Sequence, residues 1–75
     1  MDMRKLVGQN VRRVRQQRGL TQEQLSEKSG FTQQYLSGLE SGRRNPTIVS
    51  IYQLAMALGV DHIALLTPVT DDTDQ

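Results

Sequence analysis

The stretch Leu20-Thr21-Gln22-Glu23-Gln24-Leu25-Ser26-Glu27-Lys28-Ser29-Gly30-Phe31-Thr32-Gln33-Gln34-Tyr35-Leu36-Ser37-Gly38-Leu39-Glu40 decides the fold. Thr21 followed three residues later by Gln24 is a capping box, in which the hydroxyl accepts from a first-turn amide while the Gln24 side chain reaches back. Leu25 behind it faces a core, and the helix runs to about Ser29. Gly30 takes the left-handed conformation that ends a helix, Phe31 packs inward, and Thr32 caps a new start. Tyr35, Leu36 and Leu39 then recur at helical spacing until Gly42, and Arg43-Arg44-Asn45-Pro46 make a loop. The connection Gly30-Phe31-Thr32 is too short for two antiparallel helices, so it forces a steep crossing. That crossing is helix-turn-helix geometry.

Working outward, Arg4 to Arg18 carries Val7, Val11 and Val14 on one helical face. Downstream, Thr47 caps a fourth helix with Ile48, Ile51, Leu54, Ala55 and Leu58 on one face, closed at Gly59. It is expected to be the most buried helix. Asp61 caps a short fifth helix through Ile63 and Leu66 before Pro68. The fold class is therefore all-α: a compact five-helix domain over residues 1–67, with the recognition helix at about 32–40. Residues 68–75 are polar and acidic without periodicity and are expected to be a disordered tail. About a dozen buried apolar side chains at ~1.5 to 3 kcal/mol each must offset most of the ordering entropy, so the stability margin is small.

Composition narrows the chemistry. Seventy-five residues make one small domain, with too little chain to wall off a deep cavity beside a core. With no cysteine and one histidine there is no thiolate or imidazole cluster, so no metal and no cofactor is expected. A convergent catalytic set of titratable groups cannot be assembled either, which argues against an enzyme. No signal-like or membrane-length apolar run occurs, pointing to a cytoplasmic chain without a membrane partner. Net charge is only +1, yet all nine bases lie between Arg4 and Arg44 against four acids, and residues 45–75 hold four acids and no base. A basic half of this kind suits a polyanion such as nucleic acid.

In a helix-turn-helix the second helix stands in the major groove with its first turn toward the base edges. Here that turn opens Thr32-Gln33-Gln34. Glutamines are poor core residues, and an exposed pair at a helix start presents amides able to bridge two atoms of one base, most naturally adenine. The alternative is that they are ordinary exposed helix formers.

The run from Leu20 to Pro46, together with Leu54-Ala55-Met56-Ala57-Leu58-Gly59-Val60, resembles the Cro and phage-repressor type of helix-turn-helix. This family is also called the xenobiotic-response-element type, and its domains are lambda-repressor-like. The likeness spans about Arg4 to Leu66. It implies a sequence-specific DNA-binding transcriptional regulator, with double-stranded DNA as partner. By the same resemblance Gln33, Gln34 and Ser37 fall at base-contacting positions, and Thr21, Gln22, Thr32 and Tyr35 at phosphate-contacting ones. Tyr35 also packs in the core. The loop residues Arg43, Arg44 and Asn45 match a segment that follows the phosphate backbone and gives affinity rather than sequence choice. Arg15 and Glu40 match a structural ion pair between helices one and three. Lys5, Arg12, Arg13 and Arg18 are weaker candidates for the phosphate footprint, and His62 is expected to be exposed or packed rather than functional.

One position departs from the family pattern. Gly38 sits mid-helix where many relatives carry a long polar or basic residue, and glycine costs ~0.5 to 1 kcal/mol there relative to alanine. Either the backbone approaches DNA closely at this point or fewer side chains read the site. The resemblance also implies a homodimer on a two-fold operator, paired through helix five or its surroundings at Ala64, Leu65 and Val69. The alternative function is an antitoxin or protein-interaction module with a small protein partner.

Overall fold

Asp2 begins the first helix by accepting from the backbone N–H groups of Arg4 (3.0 Å) and Lys5 (3.4 Å). In the computed structural model, which describes residues 1–69, α1 therefore runs Met3–Gln17, one residue ahead of the start expected from the valine spacing. Four further helices follow: α2 (Gln22–Ser29), α3 (Gln33–Glu40), α4 (Ile48–Leu58) and α5 (His62–Leu66). Thr21, Thr32, Thr47 and Asp61 each cap one of them by accepting from a first-turn amide, which satisfies a donor that the helix itself cannot pair. The capping box at Thr21 and Gln24 is complete in both directions, at 3.0 and 2.8 Å. The described residues are all-α, and most of the expected acidic tail, residues 70–75, lies outside them.

Helix α1 packs on α3 and α5, α2 on α3 and α4, and α4 on α5. Their shared core holds Val7, Val11 and Val14 of α1, Leu25 of α2, Leu36 and Leu39 of α3, Ile51, Leu54, Ala55 and Leu58 of α4, and Leu65 of α5. Two residues of α1 set its neighbours without adding apolar area. Gly8 lies so close to α3 that a Cβ there would run into the carbonyl oxygen of Leu39. Asn10, buried among the valines, donates from Nδ2 to the carbonyls of Leu65 (2.9 Å) and Thr67 (3.0 Å) and accepts from Arg13 (2.7 Å). It thereby ties the end of α5 to α1 and satisfies polar groups that burial would otherwise penalise.

Two expectations from the sequence need correction. Helix α4 is not buried throughout: Ile48 is 79% exposed, and Val49, Tyr52 and Met56 are also exposed. At ~100° per residue, Ile51, Leu54, Ala55 and Leu58 already span the arc that the core fills, and Ile48 falls at its margin. Leu65, expected at a dimer surface, is fully buried in the monomer core, whereas Ile63 is exposed. A helix of five residues offers only one stripe to the core, and the Asn10 hydrogen bonds fix Leu65 on it.

Candidate nucleic-acid interface

The turn between α2 and α3 is held by backbone and hydroxyl groups. Gly30 adopts φ +84° and donates its N–H to the Ser26 carbonyl at 2.9 Å, while the Ser26 hydroxyl donates to the carbonyl of Phe31. Phe31 is half-buried and stacks on Tyr35 with ring centroids 5.0 Å apart. Thr32 caps α3 by accepting from the Tyr35 N–H at 3.0 Å, so the helix starts at Gln33. Gln33, Gln34 and Ser37 are all exposed on this helix, with Thr32 exposed at its cap. Gln33 and Ser37, four residues apart, share one face, and Gln34 borders it.

At the far end of α3 lies a buried ionic brace. Arg15 meets Glu40 through two parallel hydrogen bonds of 2.7 and 2.9 Å, with side chains only 11% and 5% exposed. The third Arg15 nitrogen, Nη1, donates to the Leu20 carbonyl at 2.8 Å, and Gln22 donates from Nε2 to Glu40 at 3.1 Å. One cluster therefore joins α1, the α1–α2 turn, the start of α2 and the end of α3. The bidentate geometry offsets much of the cost of removing both charges from water. It also neutralises the one acid of α3, at its C-terminal end, and Gln22 keeps a second amide hydrogen for another acceptor. Beside this cluster is a hollow of about 290 Å³ lined by Arg12, Arg15, Gln22, Ser37, Glu40 and Ser41.

Thr21 is exposed, its hydroxyl engaged by the Gln24 N–H. Arg43, Arg44 and Asn45 are exposed just beyond α3, and the Arg43 N–H returns to the Gly38 carbonyl at 2.9 Å. Arg44 folds back over Tyr35, its guanidinium carbon 5.4 Å from the ring centroid. Of the weaker basic candidates, Arg13 is engaged by Asn10 and Arg12 borders the polar hollow. His62 is exposed, 3.3 Å from Asp61. Among the described residues no three His, Cys, Asp or Glu side chains gather to hold a metal ion, and no helix is long and apolar enough to cross a membrane.

The sequence reading missed Asn10 and the Arg44–Tyr35–Gly38 arrangement. A signal for Asn10 existed, because it sits three residues after Val7 and four before Val14, on the buried stripe. No local pattern reports that a loop arginine lies back along a helix.

Comparison with known proteins places this geometry. The family described as Helix-turn-helix (HTH_3) matches residues 11–65. An HTH-type transcriptional regulator of Sinorhizobium fredii is 63% identical over 73 residues, covering 97% of this chain and 94% of that protein. The crystal structure of a hypothetical transcription factor from Neisseria superposes with a TM-score of 0.85 at 36% identity, covering 89% of this chain and 77% of that one. The restriction-modification controller protein C.Esp1396I, solved as a tetramer with its natural 35 base-pair operator, superposes with a TM-score of 0.80 at 31% identity, covering 87% and 86%. With its capped α2–α3 turn, its outward α3 tip and these relatives, the chain belongs to the helix-turn-helix family of DNA-binding transcriptional regulators, which are not enzymes.

Proposed function

We propose that the protein regulates transcription by reading a specific operator with α3 in the major groove. The observation that carries this is the exposed pair Gln33 and Gln34 at a capped helix start, on a helix whose far end is pinned by the Arg15–Glu40–Gln22 cluster. Gln33, Gln34 and Ser37 contact base edges. Thr21, Gln22, Thr32, Tyr35, Arg43 and Asn45 contact phosphates, whose charge also suits the positive ends of α2 and α3. Holding Gln22 on Glu40 and Tyr35 on Phe31 before binding lowers the ordering cost of association.

A single domain makes few base contacts, so the operator is two-fold and the protein a homodimer with half-sites ~10 base pairs apart. The second copy occupies the outer face of α4, where Ile48, Val49, Tyr52 and Met56 are exposed beside Ile63 of α5. A groove of about 510 Å³ lies there, lined by Ile48, Val49, Ile51, Tyr52, His62 and Leu66. Because α3 packs on α1 and α2 while α4 packs on α2 and α5, covering this face leaves the α3 tip free. The C.Esp1396I assembly on its operator supports a multimer on DNA for a protein of this fold.

Selection from a random duplex pool, followed by fluorescence anisotropy, tests this reading. Gln33→Ala is expected to cost ~1 to 3 kcal/mol on the preferred duplex and to flatten discrimination at one base pair. Arg43→Ala is expected to weaken all duplexes alike and to reduce the salt slope by about one. Equal losses for both variants on specific and random duplexes would overturn the division between base and phosphate contacts.

A further inference from the structure

The absent side chain at position 38 and the folded-back loop arginine are one feature. A Cβ built on Gly38 would lie 3.2 Å from Nε, 3.3 Å from Cγ and 3.7 Å from Cδ of Arg44, so the Arg44 stem runs directly along the α3 backbone at that residue. The guanidinium then rests 5.4 Å from the centroid of Tyr35, one turn back along the helix. Tyr35 is itself fixed, by its stack on Phe31 and by the Thr32 cap on its N–H. The loop is turned back to make this possible: Gly42 has φ +79° and donates its N–H to the Leu39 carbonyl at 3.0 Å, and Arg43 donates to Gly38. Among the described residues no carboxylate pairs with Arg44.

Position 38 lies four residues after Gln34, hence directly above it on the same helical stripe. An arginine seated there goes where α3 goes, whereas Arg43, one residue earlier, stays with the loop. We infer that Arg44, which the resemblance puts among the phosphate contacts, is instead a base-reading residue supplied from the loop: its guanidinium occupies the place that a long side chain at position 38 would otherwise fill. Its ligand is the O6/N7 acceptor pair of a guanine, next to the base pair faced by Gln34. Arginine suits this edge because its planar fork matches two acceptors at once. The Tyr35 ring holds the plane by cation–π attraction and restricts the rotamers that binding would have to freeze. Glycine at 38 lets the stem lie this close: a methyl there would push the Arg44 side chain away by a few tenths of an ångström, and a long side chain would take its place.

This inference rests on α3 being the reading helix, and its test separates the two claims. Duplexes carrying each single base-pair change in the selected site are titrated with the full chain and with Arg44→Ala, Gly38→Leu, Gln34→Ala and Arg43→Ala. Arg44→Ala is expected to lose roughly 10- to 100-fold on the preferred duplex and little on the duplex whose guanine is replaced, abolishing preference at that one base pair. Gly38→Leu, with Arg44 intact but unseated, is expected to lose preference at the same base pair while its melting temperature stays at or above that of the parent chain. If Arg44→Ala weakens every duplex by one factor and lowers the salt slope by about one, Arg44 is a phosphate contact and the inference fails. Full preference retained in Gly38→Leu overturns the seat. Should Gln34→Ala as well as Arg44→Ala leave every preference intact, the α3 reading itself fails; should Gln34→Ala alone flatten a base pair, only the role of Arg44 does.

Discussion

The start of α3 and the outer face of α4 are both exposed, yet their side chains reach the surface for opposite reasons. At α3 the exposed groups are amides and hydroxyls, which lose little by facing water, and the helix is anchored at its other end by a buried ion pair. At α4 the exposed groups are Ile48, Val49, Tyr52 and Met56, which gain nothing from water and have no apolar neighbour in the monomer to cover them. A small domain rarely leaves so contiguous an apolar stripe without a use for it. Exposure alone therefore does not mark a binding surface; what distinguishes the two faces is whether the exposed groups are polar ones that water already satisfies or apolar ones that a partner would cover.

The largest expected effect breaks the α3 side of this contrast. Glu40→Ala leaves Arg15 buried without its partner and frees Gln22, and is expected to destabilise the fold by about 3 to 5 kcal/mol in urea unfolding. A loss below 1 kcal/mol would mean the brace is not what anchors α3. Gly8→Ala comes next, at about 3 kcal/mol, because the added methyl meets backbone rather than a yielding side chain. Its cost should appear as a lowered unfolding midpoint without a change in which base pairs are preferred once the protein is folded. The smallest effect on monomer stability is expected on α4. Met56→Glu should change it by within about 0.5 kcal/mol, since the residue is 64% exposed, yet shift sedimentation from dimer toward monomer. A dimer that survives both this change and Tyr52→Glu would place the subunit contact elsewhere.

Much of the site was legible in the chain because its signals are local. The capping box at Thr21 and Gln24, the three-residue turn at Gly30 and the Thr32 cap depend on neighbours within four residues. What could not be read were matters of distance: Gly8 looks like a weak point in α1 until α3 is laid against it, and Ile48 looks like core until the arc on which α4 packs is known. Leu65 illustrates the same limit, because its exposure depended on Asn10, 55 residues away.

The order of helices, their caps and the amide pair at the start of α3 were settled by the sequence, since hydrogen-bonding and backbone preferences act over a single turn. Which apolar stripe was buried, where Arg15 found its counter-charge and how Arg44 came to lie on Gly38 were settled only by packing. Burial and close approach are properties of surfaces brought together, and the fold alone determines which surfaces meet.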